Sequence, residues 1–387
     1  MFPCGNAPCV ATMSSNSPLK SDQITVAGRN FLIVWGAALV LLLSVGGWLT
    51  IRPERQDKLA SLARHRARLD SQAADPGATA PDLTLPPGSK PTEVLFGIYV
   101  DRIVELSVKD ASWTVDFYLW FRWHGDAVRP GEGFQVVDGW IESKEREVAH
   151  TCGDEHYERY RVVAKITKPF DVSRFPCDDH LLTINIENPL YQRHQLLFIP
   201  DRDNSSVSSR VKVSAYEIHD SQILEKPHSY KTTRGDPRLV PGVKSTYSQG
   251  RMGIGLRRGS WGFYVKMFQA LYVAVVVAML AMFVKPTNVD PRFGLGVGGL
   301  FAAVANSYVT GSLIPDTGVM TVADIVNGMG IGMVLLTVIQ STVSLYLFEQ
   351  LGAESLSRRF DQLSFAILAT GYLALNLALP LAASQGG

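Results

Sequence analysis

Long apolar runs and shorter alternating segments divide the 387-residue chain into two kinds of structure. Five apolar runs approach or exceed the about 20 helical residues that cross the about 30 Å hydrocarbon core of a bilayer. They cover residues 31–51, 261–284, 293–314, 321–348 and 363–383. A run such as "ALYVAVVVAMLAMFV" is apolar on every side, and in water such a helix would need a much larger protein around it. We therefore expect five transmembrane helices.

Between residues 92 and 258 the period of the apolar residues changes from helical to two. In "WTVDFYLWFRW", Trp113, Phe117 and Phe121 fall on one face, whereas Asp116 and Tyr118 fall on the other. The segments "YRVVAKI" and "LLTINIE" alternate in the same way, and Gly-, Asp- and Pro-rich turns separate the segments. This pattern predicts an antiparallel, immunoglobulin-like all-β sandwich.

The two patterns together give five regions. We expect a cytoplasmic N-terminal tail at 1–30, a signal anchor at 31–51, a linker at 52–91, the sandwich at 92–258 and a four-helix transmembrane domain at 259–387. No small-x-small cleavage site closely follows the first run, so we expect the anchor to be retained. The linker contains "AADPGATAPDLTLPPGSKP", whose Pro, Ala and Gly content is typical of a tether.

The basic residues between the helices orient the last four of them, because Lys and Arg accumulate on the cytoplasmic side. Lys285 and Arg292 follow the first of these helices, Arg358 and Arg359 precede the last, and "PDTGVMT" holds neither residue type. The sandwich and the C-terminus are therefore expected outside. The basic flank after residue 51 favours the opposite orientation when it is taken alone, but four helices outweigh one flank.

Charge and cysteine usage narrow the function classes. A formal net charge of +1 gives no indication of a nucleic-acid partner. Cys4 and Cys9 would face the cytoplasm, and Cys152 and Cys177 should lie near opposite ends of the sandwich, too far apart for a bridge. Cys177 and His180 have the spacing of a metal-ligand pair, but no second pair accompanies them. The sequence indicates no general base that would activate a cysteine nucleophile. We therefore expect that the protein is not an enzyme and that it binds no metal or cofactor.

Several motifs in order resemble the pentameric ligand-gated ion channels, the Cys-loop receptor superfamily, and within it the bacterial members that lack the loop disulfide. They are "VDFYLWFRW", the loop "FDVSRFPCDD" against the family's D-x-x-x-F-P-F-D, "LRRGSW" before the first channel helix and "LIPDTG" after the second. The resemblance covers residues 91–383. The family's two loop cysteines fall at Lys168 and Leu182, the W-x-P-D segment is not recognisable, and the first channel helix lacks the usual proline.

This resemblance implies partners and a location. The chain would form a homopentamer, respond to a small-molecule or proton agonist, pass inorganic ions and contact membrane lipid. It would reside in a bacterial inner membrane as a multi-pass protein with its sandwich in the periplasm. Two other function classes are a membrane-anchored ligand sensor without conduction and a secondary transporter. The four further helices argue against the sensor, and the lack of repeated halves argues against the transporter.

The resemblance also implies a coupling site between the sandwich and the helices. Phe175 and Pro176 at the tip of the loop would anchor the loop at the membrane interface. Asp178 would pair with the arginines before the first channel helix. The expected residues are Asp110, Phe175, Pro176, Asp178, Arg257, Arg258 and Pro315. The same cluster is equally compatible with a static brace, because a partly buried charge network also holds two domains together.

The second channel helix contains residues of special size and charge at steps of three and four, which places them on one helical face. They are Asp290, Gly294, Gly298, Phe301, Ala305, Tyr308 and Ser312. In a pore, the glycines would leave the cytoplasmic half wide and Phe301 would form the constriction. The alternative is that the glycines serve only close helix packing.

Selectivity has two competing indicators. Asp290 would place a ring of negative charge at the cytoplasmic mouth, which favours cations. In contrast, "PRFGLG" resembles the start of the family's anion-selective pores, with Arg292 close by. Arg292 is two positions from Asp290, so we expect it to point away from the pore axis. We therefore favour a cation channel and keep an anion channel as the alternative.

Aromatic residues are the candidates for the agonist site, because family sites form an aromatic box between neighbouring subunits that suits cationic ligands. By this resemblance Tyr118 lies on one side of the site, and Tyr191, Tyr230 and Tyr247 lie on the other. Tyr230 and Tyr247 flank "KTTRGDPRLVPGVKS", where the family has its capping loop. Each tyrosine has the alternative of simple surface packing.

Overall fold

A computed structural model describes residues 25–76, 83–233, 235, 237, 245–259, 261–316 and 318–384. Cys4, Cys9, most of the expected N-terminal tail and most of the expected capping loop lie outside these residues. The helices are α1 Val26–Arg68, α2 Trp261–Leu280, α3 Val289–Gly311, α4 Val322–Glu349 and α5 Glu354–Ser384, with a 3₁₀ turn at Ala281–Phe283 after α2. The strands are β1 Thr92–Ser107, β2 Ser112–His124, β3 Gln135–Val137, β4 Gly139–Cys152, β5 Glu155–Thr167, β6 Asp179–Glu187, β7 Leu196–Pro200, β8 Ser206–Val207, β9 Glu217–Tyr230 and β10 Ser245–Arg257.

Two sheets pack face to face in the strand-rich region. One has the order β4-β5-β2-β1-β7 with β8 paired to β1, and the other has the order β3-β6-β10-β9. The pairs are antiparallel except those that β7 and β8 form with β1. The predicted inner face of β2 is confirmed, since Trp113, Phe117 and Phe121 are buried. A Cβ on Gly250 of β10 would lie 2.5 Å from the Phe96 ring of β1, so the two sheets share one apolar core.

Five described helices are long and apolar enough to cross a membrane. This agrees with the five predicted runs, and the described chain has a β-sandwich-like region followed by helices that could span a membrane. Three helices begin earlier than their apolar runs: α1 begins at Val26, α3 begins at Val289 and α5 begins at Glu354. The first turns of α5 are polar, but Ser357, Phe360 and Asp361 are buried at helical spacing and extend it.

The N-terminal helix corrects the expected boundary at residue 51. α1 continues without interruption through Pro53 to Arg68, so the first 17 residues assigned to the linker are helical. Glu54, Lys58 and Ser61 are buried along one stripe of this extension, because it packs against the sandwich. Among the described linker residues, 69–76 and the Pro-rich part at 83–91 form neither helix nor strand.

α1 runs alongside α5. The indole Nε1 of Trp35 donates to Ser364 Oγ at 3.0 Å, and a Cβ on Gly47 would lie 2.6 Å from the Leu375 side chain. The start of α1 and the sandwich therefore lie at opposite ends of the helical bundle.

Candidate functional site

The loop between β5 and β6 seats its tip on the helical bundle. Phe175 is buried, and its ring centroid lies 6.2 Å from that of Phe263 on α2. The Arg258 guanidinium lies over the Phe175 ring, 5.0 Å from its centroid. The carbonyls of Ser173 and Phe175 accept from the backbone N–H groups of Val322 and Ala323, each at 3.0 Å. Two N–H groups at the start of α4 thus have partners in the loop, which joins the sandwich to this helix.

Asp178 is the centre of a buried charge cluster. Its carboxylate accepts from Arg258 Nε at 2.7 Å and from the Tyr216 hydroxyl at 2.9 Å, and lies 2.6 Å from His180 Nε2. Burial by itself raises the pKa of Asp178, but His180 and Arg258 outweigh burial and hold this pKa well below its usual range. Asp178 is therefore a permanent negative charge that ties β6 to the residues preceding α2.

The adjacent carboxylate, Asp179, faces different partners. It accepts from Arg174 of its own loop and from Lys58 Nζ of α1, the latter at 3.3 Å. His65 Nδ1 lies 3.6 Å from the other carboxylate oxygen. Burial favours the neutral acid, but Arg174 and Lys58 lower the pKa of Asp179 below its ordinary value. Neither this cluster nor the participation of α1 was predicted from the sequence.

Three expected coupling residues lie outside these two clusters. Asp110 is exposed and accepts from Ser107 Oγ at 2.6 Å within the β1–β2 turn. Arg257 is exposed at the end of β10, and Pro315 is half-buried in the connection between α3 and α4. The β1–β2 turn nevertheless reaches the end of α3, because Lys109 Nζ donates to the Ser312 carbonyl at 3.2 Å.

Lys168 closes the base of the loop. By the resemblance given above, Lys168 and Leu182 take the positions of the two loop cysteines of the channel family. Lys168 Nζ donates to the carbonyl of Leu181, next to Leu182. Burial, assisted by Arg68 and Arg251, lowers the pKa of Lys168 to about 7. Cys152 and Cys177 are free thiols. In the described part of the chain, no group of three or more His, Cys, Asp or Glu side chains could hold a metal ion.

The predicted stripe on α3 is exposed throughout in the isolated subunit. Phe301 and Tyr308 are 73% and 79% exposed, and the other five members are also exposed. The glycines on α3 fall into two classes. A Cβ on Gly294 or Gly298 would meet nothing within 4 Å, whereas a Cβ on Gly299 would lie 2.9 Å from the Ala274 carbonyl. Close packing within the subunit thus explains Gly299 but not the two stripe glycines.

Polar side chains fix the opposite face of α3. Arg292 is buried, and its guanidinium donates to Asp361 of α5 at 2.8 Å and to the Val284 carbonyl at 2.9 Å. This confirms that Arg292 lies off the face that carries Asp290. Near the other end of the helix, Asn306 Nδ2 donates to Asn327 Oδ1 of α4 at 2.9 Å.

The four candidate tyrosines lie in different parts of the sandwich. Tyr118 lines an open cleft of about 610 Å³ on the sheet that contains β2, together with aromatic and charged side chains. Tyr230 donates to Glu187 at 2.9 Å, and its ring centroid lies 5.7 Å from that of Tyr247 on the neighbouring strand. Tyr191 accepts from the Arg129 backbone N–H at 3.2 Å. One subunit does not bring Tyr118 together with the other three.

Neither the known protein-family models nor the curated proteins contain a match to this chain. The functional conclusion therefore depends on the geometry of the chain itself.

Proposed function

We propose that the chain is the subunit of a pentameric ligand-gated ion channel in a bacterial inner membrane. An immunoglobulin-like sandwich in the periplasm binds the agonist, α2–α5 form the four-helix channel unit, and α1 is an additional anchor. Five copies of α3 line the pore. A subunit supplies only one such helix, so a closed ring of subunits is required, with the same interface repeated around it.

The observation that supports this proposal most strongly is the exposed face of α3. The face is exposed in the subunit and carries, in order, an acidic residue in the first turn, two glycines in open space and a phenyl ring. This order suits a pore with a charged mouth, a wide half and an apolar constriction. The same residues suit a helix face that surrounds a water-filled pore. Five Phe301 rings offer an ion no hydrogen bonds, and a narrow apolar ring of this kind blocks conduction by losing its water.

The positions of the tyrosines and of the charged residues refine the proposal. Tyr118 lies on one sheet and Tyr230 and Tyr247 lie on the other, which suits an agonist site formed between neighbouring subunits. Asp290 is exposed, whereas Arg292 is buried and paired with Asp361, which favours cation selectivity. The Asp178–Arg258 pair and the loop contacts with α4 would couple agonist binding to the pore.

The test is purification of the full chain in mild detergent, followed by reconstitution. We expect a particle with the mass of five subunits and single-channel currents in a planar bilayer, with reversal potentials in a potassium chloride gradient that follow potassium. A monomeric or dimeric particle, or a pentamer that never conducts, would contradict the proposal. Reversal potentials that follow chloride would contradict only the cation selectivity and support the anion-selective alternative.

A further inference from the structure

The two neighbouring carboxylates at the end of the loop are buried and point to different helices. Asp178 is 1% exposed and pairs with Arg258, which directly precedes α2. Asp179 is 6% exposed and pairs with Lys58, which belongs to α1. Asp178 immediately precedes β6 and Asp179 begins it, so one short segment of backbone is paired both with the residues before α2 and with α1.

α1 also contacts the other end of the same loop. Arg64 forms an ion pair with Asp171 at 2.5 Å, eight positions before Asp179 in the chain. The two pairs come from residues six apart on α1, so the helix spans the loop from its start to its end. The Lys58–Asp179 pair is shielded from water, whereas the Arg64–Asp171 pair is exposed. Loss of the Lys58–Asp179 pair should therefore weaken the contact between α1 and the loop more than loss of the Arg64–Asp171 pair.

Beyond the loop, α1 is fastened to the sandwich at its C-terminal end. Arg251 of β10 donates to the Arg68 carbonyl at 2.9 Å and also binds the Asp75 carboxylate at 2.9 Å. Lys226 of β9 donates to Asp75 at 2.8 Å. The Leu69 side chain fills the space that a Cβ on Gly253 would occupy. The end of α1 therefore moves with the sheet that contains β9 and β10.

Within the membrane the same helix is fastened to α5, through Trp35 and Ser364 and through Leu43, which packs where a Cβ on Gly371 would lie. A gap of about 280 Å³ separates the contacts of α1 from those of α2 at the sandwich base, with Lys58, Arg258 and Pro380 in its lining. The two helices are thus separate connections from the loop to the bundle.

We propose that α1 is a second coupling helix beside α2, additional to the direct contacts of the loop with α4 and with the Ala383 carbonyl of α5, and that it restrains the loop in the resting channel. The inference rests on the proposed channel function. Lys58 is a positioning residue that acts through Asp179. A second rigid connection opposes any displacement of the loop relative to the bundle, so weakening this connection should make opening easier.

The experiment measures opening without agonist, in full-length channels that carry Phe301→Ser to raise the resting current. Lys58→Gln should increase the agonist-free open probability about fivefold or more, which is the lower range of coupling between two sites. Lys58→Arg keeps the charge and should restore the parental value. The matched control is Arg55→Gln, because Arg55 is on the exposed side of α1.

Hydrogen exchange over residues 170–182 provides a readout that needs no current. We expect about fivefold faster exchange in Lys58→Gln and parental exchange in Lys58→Arg. If Lys58→Gln does not assemble, Arg64→Gln at the exposed pair serves the same test, with a smaller increase in the same direction. Unchanged or reduced opening together with unchanged exchange would refute the second coupling helix while leaving the channel intact. A pentamer that conducts in no variant would instead refute the channel function itself.

Discussion

The buried pair of Asp178 and Arg258 allows a stringent test of the joint between the sandwich and the helices. Asp178→Asn keeps the shape of the side chain but removes its charge, and leaves the Arg258 guanidinium buried beside Tyr216 and His180 without its counterion. Breaking such a pair from one side costs about 3–5 kcal/mol, because the remaining charge has neither water nor a partner. Arg258→Gln should cost a similar amount for the same reason.

The double variant distinguishes a true pair from two independent residues. With both charges removed, no unpaired ion stays buried, so the double variant should lose much less than the two single losses combined. Interaction energies between contacting residues reach about 0.5–3 kcal/mol, and we expect a value of about 2 kcal/mol or more here. In a domain of this size, a change of 1 kcal/mol corresponds to about 2–4 °C in the unfolding midpoint.

The assay is the apparent unfolding midpoint of the detergent-solubilised full chain, read by the loss of its size-exclusion peak after heating. The midpoint of each single variant should fall by about 6 °C or more, and the shift of the double variant should be smaller than the two single shifts combined by about 4 °C or more. A double variant whose shift equals the two single shifts combined would refute the pairing, since the two side chains would then act independently.

Currents through channels formed by variants at Asp178 test coupling. Impaired opening in assembled Asp178→Ala channels indicates signalling, whereas normal activation leaves only a brace.

The pH dependence of this pair has a defined sign. The folded-state pKa of Asp178 is depressed, so its stabilising contribution is fully present above the unfolded-state value of about 3.9 and is lost as the pH falls further. The difference in midpoint between the parent and Asp178→Asn should therefore persist at pH 5 and above and shrink as the pH falls below about 4. A difference that disappears already near pH 6 would contradict the assigned hydrogen bonds.

Three further changes test other parts of the structure. Phe301→Ser should wet the proposed constriction and produce leak current without agonist, and silent channels at normal surface expression would place the gate elsewhere. Gly299→Ala should lower the pentamer yield by overpacking against α2, at a cost of about 1–3 kcal/mol, whereas Gly298→Ala should be tolerated; equal yields would contradict the two glycine classes. Folded Lys168 loses its proton near pH 7, below its unfolded-state value, so the midpoint of the parent relative to Lys168→Met should rise between pH 6.5 and pH 9. A difference between the two midpoints that does not change with pH would show that Lys168 keeps its charge.

The sequence patterns predicted the elements whose burial follows a simple period. Alternation in β2 identified the inner face, and the steps of three and four on α3 identified the exposed stripe, because burial against one neighbour leaves a periodic record. The pairing of Asp178 with Arg258 was also predicted, since a motif placed both residues at the same joint.

Other features left no such record. The extension of α1 buries Glu54, Lys58 and Ser61, a polar stripe that resembles a solvated face when no partner is known. The contact from the β1–β2 turn comes from Lys109 rather than from Asp110, and adjacent turn residues cannot be ranked without the turn geometry. The closure of the loop by Lys168 depends on a backbone carbonyl, which every residue possesses.

The two polar contacts on the buried face of α3 limit how the helix can move. Arg292 and Asn306 are about 14 residues apart, or about 21 Å along the axis, and each is held by a different neighbouring helix. Spinning α3 about its own axis would carry both side chains away from their partners and leave polar groups unsatisfied in the membrane. Moving α3 together with α4, α5 and the turn that carries Val284 would keep the contacts of both side chains. Axial rotation of α3 is therefore strongly restricted. In the proposed channel, Phe301 would open or close by a collective displacement of α3 with its neighbours rather than by turning its ring out of the way.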